Sequence, residues 1–178
     1  MKKLITLSKF NLILLWPLFF QTAHAETCVK RVFNQFCLGG TIDTLVSAEP
    51  STTKQEDDGT TRYEFSVSGK HVNVLAQDNT VIAVERYEPP GDWLNFTDWK
   101  VKLIRLYGRA TDLSTFPAYA TSRSSRLNAL KAGKGVAKAS WSQPGWSVTL
   151  VWKEPEFIRL KYTLKTNPPT PANNTEGL

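Results

Sequence analysis

Beyond residue 25 the chain has one histidine, His71, and two cysteines, Cys28 and Cys37, in 153 residues. A single histidine excludes a multi-histidine metal centre, so no metal is expected. If the two cysteines pair, no thiol remains as a nucleophile. A serine–histidine–carboxylate triad would have to run through His71, yet the G-x-S-x-G elbow is missing. The P-loop and the dinucleotide fingerprint are missing too, and no cofactor is expected. His71 itself sits in the strand-like run Gly69-Lys70-His71-Val72-Asn73-Val74 and reads as an exposed or cross-strand polar residue. Long apolar runs are also scarce. The run from Leu12 to Phe20 is interrupted by Pro17, and it falls short of the ~20 residues that a helix needs to cross a bilayer core of ~30 Å.

What is present begins with an address. Met1-Lys2-Lys3, the Leu12–Phe20 run and Ala23-His24-Ala25 form the cationic head, apolar middle and small-residue exit of a secretory signal peptide over 1–25. A periplasmic or secreted protein is therefore expected. Ala25-Glu26-Thr27 precedes Cys28 where a lipobox would need a Leu and two small residues, so a lipid-free protein is expected. The 153 remaining residues carry a net charge of +3 and suffice to bury roughly 70% of the unfolded surface.

In an oxidising compartment Cys28 and Cys37 are expected to form one disulfide. In a continuous helix their Cα atoms would stand ~13.5 Å apart at about 1.5 Å per residue, beyond the ~7 Å that a disulfide tolerates. The segment must therefore fold back, and a short helix over Arg31–Cys37 with Cys28 returning beside it meets both conditions. The bond reads as a staple on the N-terminus, because C-x8-C is not a redox spacing.

Leu38-Gly39-Gly40 ends this segment. Thr41–Ala48 offers Ile42, Leu45 and Val46 at helical spacing, with Thr41 as N-cap and Pro50 as stop. Ser51–Thr61, with Glu56-Asp57-Asp58, reads as a mobile loop. Three period-two runs follow, Tyr63–Val67, His71–Leu75 and Val81–Tyr87, and their short connections predict an antiparallel meander. Asp92 or Thr97 caps a predicted helix whose apolar face collects Trp93, Phe96, Leu103, Ile104 and Tyr107, with Gly108 at its end. Arg109–Ala139 is poor in apolar residues, with a short helix expected at Ser125–Lys131. Trp146–Trp152 and Phe157–Leu164 read as a hairpin, and 166–178 as a disordered tail. The fold class is thus α+β, helices packed on antiparallel sheet. The halves 26–90 and 91–165 can be drawn as tandem helix-plus-meander units.

Gly40-Thr41, the helix ending before Pro50, Tyr63 opening a strand and the hairpin closing on Val81-Ile82-Ala83-Val84 resemble the small outer-membrane assembly lipoproteins. The tandem arrangement is similar to the beta-lactamase inhibitor protein fold. The missing lipobox cysteine departs from the lipoprotein pattern. The resemblance implies a non-enzymatic protein-binding module.

The charges are sorted along the chain. Residues 26–98 carry a net −6 and residues 99–153 a net +9, and from Leu113 to Lys153 there is no acid at all. Arg123, Arg126, Lys131 and Lys134 in that stretch are the candidate partner-binding cations, with Lys138 and Lys153 beside them. If they share a face, the expected partner is an envelope protein or another anionic surface component, bound in a salt-sensitive way. Nucleic acid is the least expected partner, resting on the basic stretch alone. Five tryptophans follow residue 25: Trp93, Trp99, Trp141, Trp146 and Trp152. Trp146 and Trp152 are an even number of residues apart on one strand and should share a face toward the helix carrying Trp93. Trp141 borders the turn Ser142-Gln143-Pro144-Gly145 and is the tryptophan expected at the surface, a candidate contact for a partner.

A non-catalytic binding protein that recognises an envelope component through its sheet and basic second half is the expected function. The alternative is a cell-wall glycan hydrolase or sugar-binding protein using tryptophans and paired carboxylates among Glu85, Glu88, Asp92 and Asp98.

Overall fold

The computed structural model describes residues 28–45, 49–153 and 155–165. The expected signal peptide, the 166–178 tail and the end of the Thr41–Ala48 helix lie outside them. Among the described residues no helix is long and apolar enough to cross a membrane.

The chain opens with a small hairpin, β1 (Lys30–Val32) and β2 (Phe36–Leu38), and not with the expected helix. Phe33 and Asn34 both adopt positive φ, which reverses the chain within two residues. Fold-back brings Cys28 and Cys37 to a Cα separation of 5.4 Å, and they are disulfide-bonded. Residues 39–42 then run beside the start of a later strand, with Gly39 N–H donating to Val81 O and Val81 N–H to Gly40 O, each at 2.9 Å. Only one 3-10 turn, Ile42–Leu45, follows within the described part of the expected helix.

The core of the fold is one antiparallel sheet of eight strands. Its first four are β3 (Thr52–Gln55), β4 (Thr61–Val67), β5 (Lys70–Gln77) and β6 (Thr80–Glu88). After α1 (Trp93–Tyr107) come β7 (Thr111–Asp112), α2 (Arg123–Lys131), β8 (Ala137–Gln143), β9 (Trp146–Trp152) and β10 (Ile158–Leu164). The spatial order β3-β4-β5-β6-β10-β9-β8-β7 makes the two halves abut along β6 and β10, where Val84 faces Tyr162 and Glu85 faces Lys161. The expected mobile loop at 51–61 is therefore largely β3 and its turn, a correction. Every side chain of β3 is exposed, so it has no apolar alternation to betray it, and it is held by its backbone pairing to β4.

Alternation gives the sheet two unlike faces. Phe65, Val72, Val74, Val84, Leu160, Leu150, Val148 and Trp141 point to one side, which α1, α2 and the β1–β2 hairpin cover. Phe36 meets Phe65, Phe33 meets Tyr162, and Trp93 and Phe96 meet Trp152, all with ring centroids 5.4–6.2 Å apart. The opposite face carries Arg62, Glu64, Asn73, Glu85, Tyr87, Arg159, Lys161, Thr149 and Ser140.

Asp92 is the N-cap of α1, its carboxylate accepting from Asn95 N–H at 2.8 Å, and Gly108 ends the helix with φ +83°. Phe96 and Leu103 are buried, whereas Ile104, expected on the packed face, is exposed. In α2 the Ser122–Ser125 capping box sets the start and Ala129 and Leu130 are buried.

Candidate functional site

α1 and α2 leave a cavity between them at the end of β9. It has a volume of about 320 Å³, and its apolar wall is built from Trp93, Leu94, Leu127, Leu130, Trp152 and Pro155. Three local facts produce it. Leu127 and Leu130 lie three residues apart and so share one side of α2. The Asp92 cap starts α1 with Trp93 and Leu94 directed at the same space. Trp152, the last residue of β9, stands edge-on to Trp93 with ring centroids 6.2 Å apart and forms the floor.

The rim is cationic. Lys131 at the end of α2 and Lys153 just past β9 line the mouth, and the Arg123 guanidinium lies 5.4 Å from the centre of the Trp93 ring. The one acid among the lining residues, Asp92, is committed to capping α1. Among the described residues none of Arg123, Lys131 and Lys153 is in an ion pair.

The four expected cations thus separate. Lys131 lines this cavity, and Arg123 lies against the Trp93 ring that forms part of its wall. Arg126 lines a neighbouring cavity with Trp93, Phe96 and Phe116, its guanidinium 5.2 Å from the Phe116 ring and its Nε–H donating to Ala120 O at 3.2 Å. Lys134 follows the helix, exposed, its backbone N–H bonded to Ala129 O at 2.8 Å. Trp141 is corrected outright: it is 1% exposed, and its indole N–H donates to Gly108 O at 2.9 Å. It belongs to β8, where pairing with Val148 directs it to the covered face, so no partner can reach it. Lys153, expected beside the candidate cations, and Trp152, expected to face the Trp93 helix, are both at the site, and Pro155 joins them without having been singled out. The clue was the placement of Lys153 and Pro155 just after an apolar strand end.

On the open face a buried polar group crosses the central strands. Glu85 Oε1 lies 2.8 Å from Lys161 Nζ, and the Tyr87 hydroxyl donates to Glu85 Oε2 at 3.2 Å. Burial pushes the Glu85 carboxyl up, but the hydrogen bond and charge of Lys161, with Arg159 and Tyr87, outweigh it and hold the group below its ordinary value. Burial, followed by the charge of Glu85, raises Tyr87. Asn73 donates to Tyr87 Oη at 3.4 Å, and its own side-chain oxygen has no partner among the described residues.

Of the remaining junction carboxylates, Asp92 caps α1 and Asp98 is exposed on α1. Glu88 meets Lys70 at 3.1 Å and Arg86 at 2.5 Å on the covered face, away from Glu85. Comparisons with family models, with characterised proteins and with solved structures gave no match.

Proposed function

We propose that the chain is an exported, non-catalytic binding protein that recognises another envelope component through its basic second half. The observation that carries the reading is the apolar, tryptophan-floored cavity lined by the cations Lys131 and Lys153, with Arg123 against its Trp93 wall. A cavity of this size with few polar groups suits an apolar anchor, and its lining cations, in no ion pair among the described residues, suit an anionic surround. The binding role implied by the resemblance to outer-membrane assembly lipoproteins and to the beta-lactamase inhibitor protein fold points the same way.

The glycan reading draws less support. A sugar in this cavity would leave most of its hydroxyls without partners, because the wall is almost wholly apolar. Glu85, Glu88 and Asp92 are each engaged in an ion pair or a helix cap, and Asp98, exposed on α1, is not among the residues lining the cavity.

The test is affinity capture from envelope extract by the wild type and by the variant Arg123→Glu/Arg126→Glu/Lys131→Glu/Lys134→Glu. All four residues are exposed, so the variant should fold. The wild type is expected to retain a component that the variant loses. Recovery of the same set by both proteins would count against the reading.

A further inference from the structure

Lys153 borders two cavities. On the covered side of the sheet it lines the tryptophan-floored cavity; on the open side it lines a second one of about 270 Å³, formed with Tyr87, Val151, Phe157 and Arg159. Val151, Tyr87 and Arg159 point to the open face, whereas Trp152 points to the covered one, so the two cavities flank the same end of β9. Their chemistries differ. The first is an apolar chamber. The second has two cations, Lys153 and Arg159, and no acid among its lining residues, and its aromatic wall is fixed by Tyr87 and Phe157, which meet edge-on at 4.8 Å. Arg159 is exposed and in no ion pair among the described residues, and the nearby Glu156 lines an adjoining groove with Lys70 and His71, on the other side of the Tyr87 and Phe157 wall that both share.

We propose that these two chambers, joined at Lys153, form one recognition site for an acidic peptide segment that seats a large apolar side chain against Trp93 and Trp152 and a carboxylate between Lys153 and Arg159. The proposal rests on the binding role above and names the partner's chemistry. An aromatic or branched aliphatic side chain matches the first chamber, because burying it needs no hydrogen-bond partner there. A carboxylate matches the second, whose lining has a guanidinium and an ammonium beside an aromatic wall and no acid. A peptide satisfies both at once, since an extended chain advances about 3.3 Å per residue and carries unlike side chains at short spacing. A single acyl chain would bring its anion to the mouth of its own chamber and leave the second one empty.

The probe is a set of capped hexapeptides, each with one Phe and one Asp at spacings of one to four residues. Matched controls replace Asp by Asn or Phe by Ala. Binding is read by the change in total tryptophan emission, to which Trp93 and Trp152 contribute, and by calorimetry. At one or two spacings the Phe/Asp peptide is expected to bind at least about tenfold more tightly than either control, with an affinity that falls as salt rises. Arg159→Glu should abolish the preference for Asp over Asn and leave the preference for Phe. Lys153→Glu should weaken both, and Lys165→Glu, at an exposed site on the far end of β10, should change neither. Three results would overturn the inference: equal binding of all peptides, no binding of any, or binding of anionic phospholipid vesicles with the same losses in Lys153→Glu and Arg159→Glu. If the peptides fail while charge reversal still abolishes capture from envelope extract, the inference falls and the binding role stands.

Discussion

Replacing Lys161 by methionine removes the ammonium that touches Glu85 while keeping most of the aliphatic stem. Glu85 is 4% exposed, so its carboxylate would be left nearly dry. Removing one partner of a fully buried pair costs about 3–5 kcal/mol. The Lys161 side chain retains 35% exposure, and water reaching the site lowers the expected cost to about 1–3 kcal/mol. The pH dependence identifies the cause. In the wild type the Glu85 carboxyl lies below its ordinary 4.5, so its contribution is complete above the unfolded-state value and fades as pH falls through the folded-state value. In the variant, burial dominates and the folded-state value rises above the unfolded one. An ionised Glu85 then destabilises the fold at neutral pH, and protonation relieves it. The stability difference between the two proteins should therefore be largest near neutrality and shrink as pH falls from the variant's raised value, above 4.5, to the wild type's, below it. Urea titrations followed by tryptophan emission at several pH values between neutrality and acid measure it. A difference that is independent of pH, or that grows in acid, would refute the reasoning.

Trp141→Ala should cost about 3–5 kcal/mol in the same denaturation assay, because it empties a buried site and orphans the Gly108 carbonyl; a cost near zero would place Trp141 at the surface after all. Reducing the Cys28–Cys37 bond, or Cys37→Ser, should lower stability by about 2–3 kcal/mol for a closed loop of about ten residues, seen as a lower thermal midpoint. Asp92→Ala should cost about 1 kcal/mol through loss of the α1 cap and should lower amide protection in the first turn of α1 before it affects the sheet.

Much of the sheet can be read directly from the chain, and the reason is alternation. Trp146, Val148, Leu150 and Trp152 put bulk on every second position, as do Phe65, Val72, Val74 and Val84, and the helix after Asp92 is bounded by a cap and a glycine. The parts that escape lack those cues. β3 has no buried side chain, and β8 buries Ala137 and Ala139, which are too small to register as an apolar face. In the N-terminal hairpin, Val32 and Phe36 have the four-residue spacing of a helix turn, and of the two positive-φ residues only Asn34 is of a type that favours that conformation, Phe33 giving no such sign. The site was legible in its charges, since Arg123 and Lys131 belong to a stretch without acids. Its cavity was not. Its walls come from α1, α2 and the end of β9, whose approach is set by long-range packing on the sheet. Trp141 shows the converse, for proximity to a turn suggested exposure where the Val148 pairing dictates burial.

The central claim is that the chain binds where α1, α2 and the end of β9 meet. Hydrogen exchange measured with and without a saturating envelope fraction tests it most directly. The account predicts new protection at 91–95, 127–134 and 151–159, lost in Lys153→Glu. Protection confined to β3, β4 and β5, or no protection anywhere, would contradict it.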